Sequence, residues 1–246
     1  MIDPMNQTFH LIHGPRLPEG FTRPVVAIGN FDGLHRGHRA VTEAARQQAQ
    51  KLGRPAALLT FEPHPRSFFR PDAPLFRLTP ESVKAKLLHH FGLNAMIVLP
   101  FNAEMAATTA EDFISKILFN ALDVAGVVVG HDFQFGKGRG GTPDSIAQAC
   151  RHSGRIAEII DPQTEGDALI SSSAIRTALA DGDLPRANHL LGYRYLLEAE
   201  VCHGEKIGRT LGYPTANLRL PENSVLKHGI YAVRVAVGAK VYGGVA

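Results

Sequence analysis

The sequence lacks tryptophan altogether and has only two cysteines, Cys150 and Cys202, among its 246 residues. Two cysteines so far apart support neither a disulfide framework nor a cysteine-based zinc site, and they fit a reducing compartment. No apolar run approaches the roughly 20 residues of a membrane-spanning helix, and the polar N-terminus does not have the pattern of a secretory signal. The sequence therefore predicts a cytoplasmic protein with no membrane partner.

Charge is nearly balanced, with 26 Lys and Arg against 23 Asp and Glu, a formal net charge of +3. The basic residues form no run and do not alternate with aromatic residues, which argues against nucleic acid as a partner. Hydrophobic residues make up 44% of the chain, a value typical of a globular protein with a core. A charge surplus this small is compatible with a phosphorylated small molecule as substrate.

Strand and helix patterns alternate from residue 24 to residue 161. Short β-branched runs predict buried strands, and alanine-rich or amphipathic stretches predict helices. This alternation is the signature of an α/β protein, with a parallel sheet and helices on both of its faces. The predicted strands are Pro24–Asn30, Pro55–Phe61, Asn94–Leu99, Val124–Gly130 and Arg155–Asp161, and the predicted helices are His38–Leu52, Pro80–Phe91, Ala110–Leu122 and Thr142–His152.

The pattern changes after residue 161. Two short helices are predicted at Ser172–Ala180 and Leu184–Leu191, followed by strands at Leu196–His203, Gly229–Val237 and Lys240–Val245. We therefore predict an α/β domain over residues 1–187 and the start of an all-β domain over residues 188–246. About 58 residues of strand would fold alone only marginally, and the sequence stops within a strand pattern, so we expect a piece of a longer chain.

The segment GNFDGLHRGH, at residues 29–38, joins the first predicted strand to the first predicted helix. Its glycines allow close approach of a ligand, and the helix N-terminus offers unpaired N–H groups and a positive dipole end. These features predict a phosphate site, although neither a Walker lysine nor the dinucleotide fingerprint is present. His35 and His38 can donate hydrogen bonds to phosphate oxygens. The alternative is that both are turn and capping residues; a zinc site would lack a third ligand at suitable spacing.

A second group of candidates follows the fourth strand, in VVVGHDFQFGKGRGG at residues 127–141. Ligands of parallel sheets bind beyond the carboxyl ends of the strands, so we expect this segment beside the first one. Asp132 can accept a hydrogen bond from a hydroxyl or an amide, and Phe133 and Phe135 offer a face to a planar ring. The alternative is that both phenylalanines belong to the core and the loop is solvated.

Two further segments carry candidate residues. In ISSSAIR, the hydroxyls of Ser172 and Ser173 and the guanidinium of Arg176 can converge on phosphates at a helix N-terminus, or the serines merely cap that helix. In FEPHPRSF, which begins at Phe61, His64 stands between two prolines and is rigidly presented. A surface turn explains that histidine equally well.

Together these segments resemble the bacterial bifunctional FAD synthetase family (riboflavin kinase/FMN adenylyltransferase). GNFDGLHRGH is similar to the family motif G-x-F-D-G-x-H-x-G-H, a relative of the HIGH signature of the nucleotidyltransferase superfamily. FEPHP, VVVGHDFQFGKGRGG and ISSSAIR resemble the next three blocks in the family's order. GEKIGRTLGYPTANL, at residues 204–218, resembles the riboflavin kinase signature, and GIYAV resembles the strand that follows it.

The resemblance implies a Rossmann-like HIGH-superfamily nucleotidyltransferase domain, followed by an incomplete antiparallel β-barrel of a riboflavin kinase. The first domain would transfer AMP from ATP to FMN, giving FAD and pyrophosphate with Mg²⁺, and the second would phosphorylate riboflavin. Catalytic roles fall on His35, His38, Ser172 and Arg176. Nucleotide contacts fall on Gly29, Asn30, Phe31, Gly33, His35, His38, Ser172, Ser173 and Arg176, flavin contacts on Phe61, His64, Asp132 and Phe133, and kinase contacts on Gly208, Thr215 and Asn217, of which Thr215 and Asn217 would also bind Mg²⁺.

One departure from the family concerns the kinase part. The family's catalytic glutamate and its last strands and helix lie beyond the point where this sequence stops, so we expect this chain to lack riboflavin kinase activity. Two alternatives to FAD synthesis remain. One is a nucleotidyltransferase for another phosphorylated acceptor, and the other is a non-catalytic module that binds flavin or nucleotide.

Overall fold

The computed structural model describes residues 8–73, 75–166, 168–203, 212, 215–238 and 240–246. Before the C-terminal segment the elements are, in chain order, β1 (His10–His13), β2 (Val25–Ile28), α1 (Arg36–Leu52), β3 (Ala56–Glu62), α2 (Pro65–Phe69), α3 (Glu81–His90), β4 (Ala95–Pro100), α4 (Ala103–Ala107), α5 (Ala110–Asp112), a π-helix (Phe113–Ala121), β5 (Gly126–Gly130), a 3₁₀-helix (Lys137–Arg139), α6 (Pro143–His152), β6 (Ile156–Ile160), β7 (Thr164–Glu165), β8 (Ala168–Leu169), α7 (Ser172–Asp181) and α8 (Leu184–Leu191).

Six parallel strands form one sheet, in the order β1-β4-β3-β2-β5-β6. The five strands predicted before residue 161 are present as β2 to β6, which confirms the α/β fold class. The edge strand β1 has no counterpart in the predicted pattern, because only Ile12 of its four residues is buried. The two-residue strands β7 and β8 form a separate antiparallel hairpin after the sheet.

Apolar clusters cover both faces of the sheet. In β2, Val26 and Ile28 belong to the cluster on one face, and Val25 and Ala27 belong to the cluster on the other, as the alternation of side chains along a strand requires. The π-helix and α6 contribute to the first cluster, and α1 and α3 contribute to the second. All four β2 residues are buried, which is typical of a central parallel strand.

Capping residues determine where the helices next to the sheet begin and end. Nδ1 of His35 accepts a hydrogen bond from the His38 backbone N–H at the start of α1, and Gly53 ends α1 with φ of 62°, a conformation that suits glycine.

The predicted helix Ala110–Leu122 is divided into α5 and the π-helix. Helices of the π type are rare and are often found at functional sites.

A third apolar cluster lies between α7, α8 and the segment 76–79. Ile175 and Leu179 of α7 and Leu190 of α8 pack there with Phe76 and Leu78. Both helices agree with their predicted limits to within one residue. This packing holds the segment 76–79 against α7.

The C-terminal segment forms two separate antiparallel strand pairs, β9 with β10 and β11 with β12. These strands are β9 (Val201–Cys202), β10 (Asn217–Leu218), β11 (Ala232–Val237) and β12 (Lys240–Val245).

Two strand predictions in this segment need correction. The predicted strand Leu196–His203 is wrong except at Val201–Cys202, because within the described part of the chain only the two residues of β10 pair with it. The predicted strand Gly229–Val237 begins at Ala232. Apolar side chains here are exposed, with 87% exposure at Ile230, and the described residues of the segment form no closed barrel.

Gly126, at the start of β5, provides a test of sheet packing. A Cβ atom there would lie 2.2 Å from Cγ1 of Ile156 and 2.8 Å from its Cδ1. We expect Gly126→Ala to lower the free energy of unfolding by about 1–3 kcal/mol, because overpacking displaces side chains or backbone. Urea denaturation, monitored by the far-ultraviolet circular dichroism signal of the helices, measures this change.

The control and the contradicting result use the same measurement. Gly243→Ala should change little, because its Cβ would meet no atom within 4 Å. In an Ile156→Ala background, which removes both crowded atoms, Gly126→Ala should cost much less. Strictly additive effects of the two substitutions would contradict the packing explanation.

Candidate active site

The predicted site segments meet at one cleft of about 1110 Å³ beyond the carboxyl ends of the strands. A small-molecule site usually occupies roughly 300–1,000 Å³, so this cleft is at the large end of the range. Twelve of the candidate residues line it: Gly29, Asn30, Phe31, His35, His38, Phe61, His64, Asp132, Phe133, Ser172, Ser173 and Arg176.

Gly33, which was predicted to contact the nucleotide, is not among the lining residues. Its role in the structure is to shape the turn before α1. Its φ of +95° and a Cβ position only 3.0 Å from Cδ1 of Leu78 both require glycine. Its N–H donates to Oγ1 of Thr79 at 2.8 Å, and its carbonyl accepts from the Tyr193 hydroxyl at 2.6 Å. The turn that precedes α1 is therefore held on both sides by distant parts of the chain.

His35 and His38 form a stacked pair at the start of α1. Their ring centroids are 3.6 Å apart and the rings are inclined by 19°. Nδ1 of His35 accepts the His38 backbone N–H at 3.3 Å, so the neutral His35 ring carries its proton on Nε2. Nδ1 of His38 is buried and has no hydrogen-bond partner among the described residues.

Both imidazoles are poor bases in this environment. Burial lowers the pKa of His35 to about 4, against the opposing effect of Asp32 and Asp132. Burial also lowers the pKa of His38 well below its ordinary value, and the charges of His35 and Lys84 lower it further. At neutral pH the pair is therefore uncharged and can offer N–H donors to a ligand.

Asp32 connects three segments of the site. It is only 3% exposed, and its Oδ1 accepts the backbone N–H of Thr79 at 3.0 Å. Its Oδ2 pairs with the Arg176 guanidinium, and its carbonyl oxygen accepts the hydroxyl of Ser172 at 2.7 Å. The loop before α1, the segment 76–79 and the start of α7 are thereby joined.

Arg77 links this group to β3. Its two Nη atoms donate to the Glu62 carboxylate at 2.7 and 2.6 Å, a bidentate pair. Its Nε lies 3.6 Å from Oδ1 of Asp32. Nε of Arg176 donates to the Phe76 carbonyl at 3.0 Å. Two carboxylates and two guanidinium groups therefore form one part-buried network beside the cleft.

Aromatic rings and polar residues line the other side of the cleft. Phe133 is partly exposed and stacks on Phe135, with ring centroids 5.5 Å apart and an inclination of 13°. Phe135 itself is buried in the core, so of this pair Phe133 has the more accessible ring. Asp132 is exposed. Nδ1 of His64 caps α2 by accepting the Arg66 backbone N–H, and burial lowers its pKa to about 4.

Of the predicted kinase residues, Thr215 and Asn217 are not among those that line this cleft. Gly208 falls outside the described residues. Thr215 is exposed, and Asn217 is an exposed residue of β10 that pairs with Cys202.

Sequence reasoning assigned no role to five residues that shape the site. Each is buried or partly buried and makes polar contacts to the loop before α1 or to the partners of that loop: Asp32, Arg77, Thr79, Lys84 and Tyr193. Two of them left a signal: Asp32 lies within the GNFDGLHRGH segment, and Lys84 stands in the apolar stripe of α3 with Val83, Leu87 and Leu88.

A parallel sheet with a glycine-containing loop that leads into a helix at its carboxyl edge is the arrangement typical of nucleotide-binding α/β proteins. Residues 18–174 match the FAD synthetase family, and residues 191–246 match the riboflavin kinase family. The chain belongs to the FAD synthetase family.

Similar proteins include bifunctional riboflavin kinase/FMN adenylyltransferases. The protein of that name from Escherichia coli K12 is 40% identical over 225 residues, which are 90% of this chain and 71% of the relative. The one from Bacillus subtilis is 37% identical over 97% of this chain and 76% of its own.

A solved structure titled macrolide-efflux protein, from Streptococcus pneumoniae, has a TM-score of 0.80 at 27% identity. The match covers 96% of this chain and 77% of that one. Among the residues described here, no helix is both long and apolar enough to cross a membrane.

The depressed pKa of His35 predicts an acid-labile site. Between pH 4 and about 6.5 the folded protein binds fewer protons at His35 than the unfolded chain does. The free energy of unfolding is therefore not reduced by this histidine above pH 6.5, and it decreases as pH falls from 6.5 towards 4. We expect His35→Gln to reduce the acid-induced loss in free energy of unfolding by about 2–3 kcal/mol. Denaturant titrations at pH 7.5 and pH 4.5 measure the difference.

The matched control is His90→Gln, at the exposed end of α3, which should leave the pH dependence as it is in the wild type. Equal acid-induced losses in wild type and His35→Gln would show that His35 is not the titrating group.

Proposed function

We propose that this chain transfers the AMP group of ATP to FMN, forming FAD and releasing pyrophosphate, and that residues 1–187 do this chemistry. The observation that carries the proposal is the uncharged His35–His38 pair, which lines one cleft together with Arg176 and Phe133. Phosphate donors and an accessible aromatic face are what a joint site for ATP and FMN requires. The FAD synthetase match over residues 18–174 supports the same function.

The reaction needs no nucleophile from the protein. A phosphate oxygen of FMN attacks the α-phosphorus of ATP, and the bond from that phosphorus to the bridging oxygen breaks, so that pyrophosphate leaves with the electron pair. The chain contributes positioning and stabilisation of the developing charge. The α1 N-terminus and the N–H donors of His35 and His38 serve the phosphates without the need to lose or gain a proton.

Arg176 supplies positive charge from the opposite side. Its Nε and one Nη are occupied by Phe76 and Asp32, which orients the guanidinium and leaves its other N–H groups for phosphate oxygens. Ser173 is exposed in the cleft and offers a hydroxyl beside it. Ser172 is committed to the Asp32 carbonyl, so we assign it to holding the loop in place.

The flavin would bind on the aromatic side of the cleft. The accessible ring of Phe133 suits stacking against an isoalloxazine, and Phe61 and His64 line the same cleft. Asp132 is exposed and acceptor-only when ionised, so it suits a donor group of flavin or adenosine.

Mg²⁺ would accompany the ATP phosphates and neutralise part of their charge. In the C-terminal segment, which we propose to be the beginning of a riboflavin kinase domain at residues 188–246, Thr215 and Asn217 would hold the ion. A hydroxyl and an amide oxygen are hard ligands that fit this metal.

We also propose that the partners are small molecules, with neither nucleic acid nor membrane involved, and that the protein is cytoplasmic. Cys150 and Cys202 are both free thiols, which agrees with a reducing compartment.

Incubation of the chain with ATP, Mg²⁺ and FMN tests the proposal directly. FAD and pyrophosphate should appear in equal amounts. A panel of other phosphorylated acceptors separates a different nucleotidyltransferase, which would prefer one of them. Tight binding of FMN or ATP without pyrophosphate release would indicate the non-catalytic module instead.

His38→Ala should lower the turnover number by two to three orders of magnitude, because removal of a transition-state donor typically costs about that much. FMN affinity, measured by quenching of flavin fluorescence, should change little. His152→Ala, at an exposed position of α6, is the control and should turn over normally. Unchanged turnover in His38→Ala would remove the phosphate role assigned to this histidine.

Riboflavin kinase is the second candidate function, favoured by the match over residues 191–246. Thr215 and Asn217 are exposed, and the described strands of this segment form two separate two-stranded pairs. We therefore expect no FMN and no ADP when this 246-residue chain is incubated with riboflavin and ATP. Detection of both products by chromatography would contradict that expectation.

A further inference from the structure

Lys84 is a buried cation directly behind the loop that leads to the histidine pair. It lies on α3 with a side chain 0% exposed, between apolar neighbours that include Val83 and Leu88. Its Nζ donates to the carbonyl oxygen of Asn30 at 2.8 Å and approaches Oγ1 of Thr60 at 3.4 Å. Among the residues described, no carboxylate lies within ion-pair distance of it.

An ammonium group in such a place is costly, since a buried charge without a direct counter-ion loses its hydration. A methionine would fill similar space without that cost. The contacts of this ammonium are to the Asn30 carbonyl, in the turn between β2 and α1, and to the Thr60 hydroxyl. A neutral donor would serve that carbonyl as well, so the charge itself calls for an explanation.

We propose that Lys84 is a positioning residue for adenylyl transfer, whose protonated form draws the triphosphate of ATP to the loop at residues 29–38. It acts without touching the substrate, by fixing the Asn30 turn and by placing a positive charge beneath the phosphate donors. The inference rests on the proposed function, because it takes ATP as the ligand of this cleft.

The charges that face Lys84 make its protonation sensitive to a bound anion. Arg77 from the segment 76–79 opposes its charge, whereas Glu62 of β3, Asp32 of the loop and Glu81 of α3 favour it. Burial is the largest influence and lowers the pKa of Lys84 to about 8. His38 of α1 lies within its field, because the Lys84 charge lowers the pKa of that imidazole.

ATP would add negative charge at this place and so raise the pKa of Lys84 in the complex. Two consequences follow. The affinity for ATP falls as pH rises through the pKa of the free protein, and binding of ATP above that pH takes up a proton. A lysine that merely held the Asn30 carbonyl would cause neither effect.

The experiment is calorimetric titration of the full chain with ATP and Mg²⁺ at pH 8.5, in buffers that differ in ionisation enthalpy. Wild type should take up roughly half a proton per ATP bound. Lys84→Met and Lys84→Gln should take up about half a proton less than wild type and bind ATP about 10–100-fold more weakly at pH 7. Lys84→Gln keeps an N–H donor, so an equal loss in both variants assigns the effect to charge.

Lys86→Met is the matched control, two residues along α3, where an exposed lysine pairs with Glu198. It should behave as wild type in affinity and proton uptake. Circular dichroism and FMN binding establish that each variant is folded. If Lys84→Met does not fold, Lys84→Gln and the wild-type pH dependence decide.

The outcomes separate the two proposals. Equal proton uptake in wild type and the Lys84 variants, or wild-type affinity for ATP that is flat from pH 7 to pH 9, overturns the role of Lys84 while leaving FAD synthesis intact. Proton uptake that depends on Lys84, in a chain that forms no FAD, would support the attraction of ATP by the Lys84 charge but overturn both the proposed reaction and a role of Lys84 in it.

Discussion

The buried carboxylate of Asp32 is the point on which the candidate site depends. It accepts from the Thr79 backbone, pairs with Arg176, and through its own carbonyl holds Ser172. These partners come from segments 47 and about 140 residues further along the chain. A charge that is 3% exposed must be satisfied by such partners, so the loop before α1 and the start of α7 are located relative to each other by one acidic group.

This arrangement also decides the electrostatics of the cleft. Asp32 and Glu62 engage the two arginines. Burial keeps His35 and His38 neutral, and the pKa of His38 is lowered further by His35 and Lys84. Lys84 is the one fully buried lysine or arginine among the described residues, and no carboxylate is in direct contact with it. The site therefore offers oriented donors and a modest positive field. Charge of that kind stabilises a phosphoryl transition state without proton transfer.

Periodicity and turn residues were enough to predict β2 to β6 and the longer helices α1, α3 and α6, because these elements bury regular apolar patterns. They were not enough for β1 or for the β7–β8 hairpin, which bury few residues. The short helices α2 and α4, which bury no residue, were not predicted. The site segments were predicted from glycine, histidine and serine placement. The polar contacts of Asp32, Arg77 and Tyr193 were not, because each joins residues that are distant in sequence. In the C-terminal segment, Leu196–His203 has strand-like composition, but among the described residues only Val201 and Cys202 of this stretch pair with another strand.

A single-turnover experiment tests the central claim most directly. Excess protein is mixed rapidly with FMN, Mg²⁺ and ATP labelled at its α-phosphate, and the label is followed in ATP, FAD and protein. Direct transfer within one cleft predicts that label leaves ATP and enters FAD at the same rate, with none on the protein. Label that stays in ATP, or that first becomes attached to the chain, would contradict the account.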